Sequence, residues 1–152
     1  MALCPPSRIK RAAALAQSAQ RRWRSGSVIG RFLARLDRDT LQREYGVYIS
    51  PKARLGKNLT MPHPVGIVVG DGVQIGQDVT LFQNVTLGRK RVANEGYPVL
   101  HDHVVVYAGA VILGGVTIGA HAVIAANSVV LTDIPAHSTA AGIPARVLPG
   151  PS

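Results

Sequence analysis

The chain has 152 residues and a formal net charge of +9, and 47% of its residues are hydrophobic but only 5% aromatic. This length allows one compact domain with a short appendage, and the composition requires an aliphatic core. The single cysteine, Cys4, excludes an internal disulfide framework and a cysteine-based metal site. No apolar run approaches the roughly 18 residues that cross a bilayer. We therefore expect a cytoplasmic protein.

The basic charge is concentrated at the start of the chain. Residues 1–45 contain ten of the Lys and Arg residues against three acidic ones, so that this segment carries +7 and the rest only +2. Two helices are predicted at 8–24 and 27–44, and Ser27 is placed to cap the second one. Because the remainder is nearly neutral, the charge does not indicate a nucleic-acid-binding protein.

From residue 49 onward, every sixth residue is aliphatic over long stretches. A period of six fits neither an α-helix nor an alternating strand, but it fits a coil with three flat faces, each made by one six-residue unit. Glycine follows several of the aliphatic residues, where such a coil turns a corner. The thirteen leading positions are Ile49, Leu55, Met61, Val69, Ile75, Leu81, Leu87, Leu100, Val106, Ile112, Ile118, Ile124 and Val130.

The period fails at two places. Two extra residues separate Met61 from Val69, and this insertion contains His63 between two prolines. The second break predicts a loop at 88–98 that is extruded from the coil. Insertions in a repetitive fold usually lie at its corners and carry function, so both breaks are candidate sites.

The repeat resembles that of the left-handed β-helix acyltransferases. From about Gly46 the chain is similar in particular to the catalytic domain of serine acetyltransferases. The stretches that carry this likeness are HPVGIVVG at 63–70, VTLG at 85–88, AGAVILG at 108–114, NSVV at 127–130 and TAAGIPAR at 139–146. The resemblance implies a mainly β protein with a left-handed parallel β-helix at 46–152 after a basic helical segment at 1–45. It also implies acetyl-CoA as donor and a homotrimer with active sites between subunits.

The histidine of the His-x-x-Gly-Ile-Val-Val-Gly motif is the catalytic base in that family, and His63 occupies this position. A neutral imidazole can remove the proton from a hydroxyl while the hydroxyl attacks a thioester. Such assistance contributes about 10²- to 10⁴-fold in rate. The resemblance therefore predicts His63 as the general base of a direct acetyl transfer.

The chain departs from the family pattern where the acceptor would bind. Tyr48 and Pro62 stand where the family has acidic residues, and Tyr97 replaces its second active-site histidine. These departures favour a sugar hydroxyl as acceptor, as in the related enzymes of polysaccharide gene clusters. The alternatives are a serine acetyltransferase of cysteine biosynthesis and a β-helix scaffold without catalysis. Candidate residues for binding the acceptor or orienting the base are Tyr97, Glu95 and Asn84.

Small residues along the coil are candidates for the donor site, because the family binds the pantetheine arm of coenzyme A in a groove of small residues. The matching positions are Gly88, Ala108, Ala126 and Gly142. Arg146 is placed to meet the 3′-phosphate through charge-assisted hydrogen bonds. No metal is expected, because the histidines have no cysteine or carboxylate at ligand spacing.

Three roles are open for the basic helices. They are a shortened form of the family's helical oligomerisation segment, a peripheral contact with the inner face of the membrane, or a cap on the open end of the coil. A cap combined with a subunit contact is favoured.

Overall fold

The structure is a computed structural model that describes residues 6–90 and 96–148, with side chains from Lys10 onward. Two helices, α1 (Pro6–Arg24) and α2 (Val28–Tyr45), precede a series of short strands. The strands are β1 (Tyr48–Ile49), β2 (Arg54–Leu55), β3 (Val68–Val69), β4 (Gln74–Ile75), β5 (Thr80–Leu81), β6 (Thr86–Gly88), β7 (Val99–Leu100), β8 (Val105–Val106), β9 (Val111–Leu113), β10 (Thr117–Ile118), β11 (Val123–Ile124), β12 (Val129–Val130), β13 (Thr139–Gly142) and β14 (Ala145–Val147).

The strands form three stacked sheets that are the faces of one coil. Face A has the order β1-β3-β6-β9-β12, face B has β2-β4-β7-β10, and face C has β5-β8-β11-β13-β14. Each turn of the coil adds one parallel strand to each face, and the bridges Thr60↔Thr80 and Ile118↔Ile134 complete the first and last turns. Among the strands of the described residues, only β14 runs antiparallel to its neighbour, β13. The result is a three-sided parallel β-helix of five turns.

The core of the coil consists of the leading aliphatic residues that the sequence singles out. All thirteen point inward, and only Leu55, at the first turn, is incompletely buried. Away from the two breaks in the period, the residues four positions later are also inside, from Ala53 to Ile134, whereas Val65, four positions after Met61, is exposed. Ser128 is the polar member of this second set, and its hydroxyl accepts a hydrogen bond from the Gly142 backbone N–H at 3.3 Å. The six-residue period is therefore the packing period of the core.

The corner between faces B and C carries one left-handed residue in each turn. Asn, Asp and His tolerate this backbone conformation better than most side chains do. Its members are Asn58, Asp78, His103, His121 and His137, with φ between 54° and 59°. The three histidine rings stack along the coil, with 4.6 and 4.8 Å between ring centroids. The recurrence of histidine at this corner therefore has a structural cause.

The two breaks in the period lie at corners, as predicted. The strand partners Val68 and Thr86 are 18 residues apart, whereas Gln74 and Val99 on the next face are 25 apart. The seven additional residues are thus accommodated between β6 and β7 without a shift in strand register. His63 lies at the other break, between Thr60 on face C and β3 on face A.

The helices cover the open end of the first turn. Ala12, Ala16, Leu41 and Tyr45 belong to the same buried cluster as the interior of the coil. The buried Gln20 side chain donates to the Ala53 carbonyl oxygen at 2.6 Å. The ends of α2 are fixed locally, because the Ser27 hydroxyl accepts from the Gly30 N–H at 2.9 Å and Gly46 is left-handed with φ of 63°. The division of the chain into domains at 1–45 and 46–152 stays a prediction.

We predict that Gly76→Ala destabilises the fold by about 1–3 kcal/mol, because overpacking between turns cannot be relieved by moving a side chain alone. A Cβ at Gly76 would contact the Asp102 carboxylate and lie 2.7 Å from the His101 carbonyl carbon. Urea denaturation measures the effect. Gly88→Ala is the matched control, because among the described residues the nearest neighbour of its Cβ would be Leu113, at 3.7 Å. Equal stability losses in the two variants would contradict the prediction.

Candidate active site

Aromatic rings follow His63 along the corner between faces C and A, which we call the histidine corner. The His63 ring lies 6.4 Å from the Phe82 ring, centroid to centroid, and the two planes are tilted by 46°. Phe82 stacks on Tyr107 of the next turn at 5.0 Å. A continuous line of rings thus begins at His63 and runs along the coil.

The backbone around His63 is folded into a tight turn. The Val65 N–H donates to the His63 carbonyl oxygen at 2.8 Å, and Asn84 of the next turn donates its N–H to Val65 O at 2.9 Å. The Asn84 side chain lies against Gly66, so closely that no Cβ would fit there. Asn84 therefore lies at the same corner as His63, but within the described residues it makes no hydrogen bond to the His63 ring. The half-buried imidazole lies beside the Phe82 ring.

A buried polar atom without a partner lies beside this line of rings. The side-chain oxygen of Gln83 is buried and receives no hydrogen bond from the residues that the structure describes. Such an atom is costly unless a donor reaches it, so it suits an N–H or O–H group of a bound molecule. Sequence reasoning missed Gln83, Phe82 and Tyr107. The only available signal was two aromatic residues in a coil that otherwise contains few.

Three of the four predicted small donor-site residues share the histidine corner. Ala108, Ala126 and Gly142 follow one another in successive turns, and Ala126 and Gly142 are exposed. The strand pairing of β14 with β13 sets Arg146 opposite Ala141. With one strand spacing of about 4.8 Å for each turn, the row begins about 10 Å from the level of His63, at Ala108, and ends about 19 Å from it, at Gly142.

Tyr97 and Gly88 lie at a different corner, between faces A and B, which we call the tyrosine corner. The Tyr97 ring covers Gly70 and Gly72, where a Cβ would collide with it. The Arg89 guanidinium carbon lies 4.8 Å from the centre of the same ring. Within one chain, the width of face A therefore separates Tyr97 and Gly88 from His63. Glu95, the remaining predicted residue, lies outside the described residues.

A charged cluster borders the tyrosine corner and was not anticipated from the sequence. The Ser50 hydroxyl donates to one Asp71 oxygen at 2.7 Å, and the Lys52 ammonium donates to the other at 3.0 Å. The Ser50 hydroxyl and then the Lys52 ammonium lower the pKa of Asp71, which in turn raises the pKa of Lys52. These residues, with Trp23 and Tyr48, line a cleft of about 240 Å³ between the helices and the coil.

Comparisons with known proteins agree on the kind of protein that this chain resembles. Residues 97–132 match the bacterial transferase hexapeptide family (six repeats). The serine acetyltransferase of Salmonella typhimurium is 38% identical over 130 residues, which are 85% of this chain and 46% of that protein. This chain therefore contains hexapeptide repeats of the bacterial transferase kind and is similar in sequence to serine acetyltransferases.

Solved structures support the same conclusion for this serine acetyltransferase-like chain. The Neisseria gonorrhoeae serine acetyltransferase in complex with serine superposes with a TM-score of 0.82 at 33% identity, over 91% of this chain and 55% of that chain. A serine acetyltransferase in complex with CoA gives 0.81 at 35% identity, over 90% and 55%. The predicted left-handed parallel β-helix with a short helical segment is confirmed. The chain spans about half the length of the relatives it matches.

We predict that charged Asp71 stabilises this serine acetyltransferase-like fold in a pH-dependent way. Because its folded-state pKa is lowered, its contribution is complete above the unfolded value of about 3.9 and is lost as pH falls through the lower folded value. Asp71→Asn should therefore be less stable than the parent by about 1 kcal/mol near pH 6, since the group is partly exposed.

The stability difference between the parent and Asp71→Asn should shrink as pH falls below about 4, where Asp71 becomes protonated first in the unfolded and then in the folded state. Thermal unfolding at several pH values measures it. Ser50→Ala, which removes the larger cause of the pKa shift, should weaken the pH dependence of the difference. A stability difference that stays constant from neutral pH to pH 2.5 would contradict the prediction.

Proposed function

We propose that this chain is an acetyl-CoA-dependent O-acetyltransferase in which His63 is the general base. The observation that carries the proposal is that His63 lies at the same corner as a row of small residues, formed by Ala108, Ala126 and Gly142, with Gln83 in the turn between His63 and the row. An extended thioester arm lying along this row would bring its acyl group to the imidazole. A similar protein has been solved in complex with CoA, which supports coenzyme A as the carrier of the acetyl group.

The proposed reaction is a direct transfer. The neutral His63 imidazole accepts the proton of the acceptor hydroxyl while the hydroxyl oxygen attacks the thioester carbonyl carbon. The C–O bond forms, the C–S bond breaks, and the leaving thiolate takes the proton from the imidazolium. His63 is thereby returned to its neutral form, and no acyl-enzyme is needed.

Arg146 and Gln83 would contribute to binding the donor and acceptor. The exposed Arg146 guanidinium, beside the Ala141–Gly142 end of the row, is suited to a phosphate of coenzyme A. The unpartnered Gln83 oxygen is suited to an amide N–H of the pantetheine arm or to an acceptor hydroxyl. These assignments account for the two ends of the site without a metal ion.

The separation of Tyr97 from His63 supports an active site shared between subunits. If the chain forms the expected homotrimer, the histidine corner of one copy can face the tyrosine corner of the next. Tyr97 and Gly88 would then complete the site from the neighbouring copy. The homotrimer stays part of the proposal.

L-Serine is the first candidate acceptor, because the similar proteins are serine acetyltransferases and one is complexed with serine. A saccharide hydroxyl is the second candidate. It is favoured by Tyr48, Pro62 and Tyr97, which provide no carboxylate for an amino-acid ammonium group. The comparisons support serine rather than a saccharide, and the expected role in polysaccharide biosynthesis stays a prediction.

We predict that His63→Ala lowers acetyl transfer by about 10²- to 10⁴-fold, because the base is lost. Coenzyme A binding, measured by calorimetry, should change little. Thiol release from acetyl-CoA in the presence of serine or of a panel of sugars measures turnover. His137→Asn is the matched control, because Asn tolerates the left-handed backbone at that corner and the site is remote. Near-normal turnover in His63→Ala would overturn the proposed role, and a parent chain that does not bind coenzyme A would favour a non-catalytic scaffold.

We predict that Tyr97→Phe raises KM for the acceptor with little change in stability, because the ring still covers Gly70 and Gly72. Tyr97→Ala should additionally destabilise the fold by about 3 kcal/mol or more, as expected when a packed aromatic ring is removed. Steady-state kinetics and urea denaturation of both variants separate the two effects. An unchanged acceptor KM in Tyr97→Phe would mean that the Tyr97 hydroxyl does not bind the acceptor.

A further inference from the structure

Helix α2 presents an apolar stripe to solvent. Val28, Ile29, Phe32 and Leu36 are 84%, 73%, 59% and 42% exposed. Their spacing places them on one side of the helix, opposite the buried residues. Those buried residues are Gly30, Ala34, Leu41 and Tyr45. The stripe therefore faces away from α1 and the coil, and within the described part of the chain its four apolar side chains stay exposed.

The charge around the stripe is positive. Arg24, at the end of α1, is exposed, and so are Arg31 and Arg35, which lie along one flank of the stripe. The acidic residues of the helical hairpin are engaged elsewhere by arginine, in the pairs Arg22–Asp37, Arg38–Asp39 and Arg11–Glu44. Among the described residues, none of the three exposed arginines forms an ion pair. The surface therefore combines exposed apolar groups with cationic charge that nearby carboxylates do not neutralise.

We infer that the α2 stripe docks this chain on the surface of an anionic lipid membrane. An apolar helix face flanked by arginine is the combination that binds at the boundary of headgroups and acyl chains. Each arginine near an anionic surface strengthens binding about five-fold. The association would be peripheral, and no helix among the described residues is long and apolar enough to cross a bilayer.

Charge complementarity selects the membrane over a second copy of the chain. A symmetric pairing of two α2 stripes would bring the arginines of one basic segment toward those of another, and like charges in close contact weaken association. An anionic surface turns the same arginines into attractive contacts. This inference does not depend on the proposed acetyl transfer.

The test is co-sedimentation of the full chain with two kinds of vesicle, phosphatidylcholine alone and phosphatidylcholine with phosphatidylglycerol. We expect binding to the anionic vesicles, weakened by salt, and much weaker binding to the neutral ones. Ile29→Ser with Phe32→Ser should lower the anionic-vesicle affinity about ten-fold or more, since both side chains are already exposed and their loss removes apolar contact with lipid. Thermal unfolding checks that this double variant stays folded.

A charge-matched pair of variants separates the stripe from general basicity. Arg31→Gln with Arg35→Gln should weaken binding to the anionic vesicles about 25-fold. Arg54→Gln with Lys57→Gln removes the same charge from exposed positions on the coil. This pair should lower the affinity for anionic vesicles several-fold less. The proposal is overturned by equal losses in the two pairs, by no binding to anionic vesicles, or by an Ile29→Ser/Phe32→Ser variant that binds them normally. If the parent does not bind vesicles and the Ile29→Ser/Phe32→Ser variant has a lower molar mass in solution than the parent, the stripe is an interface with a second copy instead.

Discussion

The spacing between successive turns of the coil is the constraint on which the rest of the structure depends. Parallel strands on three faces fix this spacing at about 4.8 Å, so every residue has a counterpart directly above and below it. At Gly56 and Gly76 the backbones of successive turns come so close that a Cβ would collide with the neighbouring turn. Because the interior is equally narrow, each turn can offer only one aliphatic residue and one small or branched residue to the core for each face.

This repetition also explains how the candidate site is built. Any side chain that leaves the coil at a corner is aligned with its counterparts, so rings stack and small residues form continuous rows. Phe82 on Tyr107, and the three histidines of the opposite corner, arise from the same geometry. A site with its own chemistry would require an interruption, and the two insertions place His63 and Tyr97 outside the repeating pattern.

The sequence predicts the scaffold well because the core has a strict period. The positions from Ile49 to Val130 indicate both the fold and the burial of each residue, and the two failures of the period indicate where insertions leave the coil. The division of the site between corners was not predictable in the same way, because Tyr97 and His63 belong to different corners of a three-dimensional coil. Likewise, no short spacing links Ser50 with Asp71, which meet only because the chain completes a turn between them.

The final strand, β14, has a consequence for how the molecule behaves in a crowded solution. A parallel coil ends in open strand edges, to which the first turn of another molecule could in principle add and begin a fibre. By folding back antiparallel to β13, β14 presents an edge on face C with the wrong direction for such an addition. The helices obstruct the other end of the coil. On face C of the described coil, parallel addition of another strand is therefore disfavoured, and the helices cover the edge of the first turn.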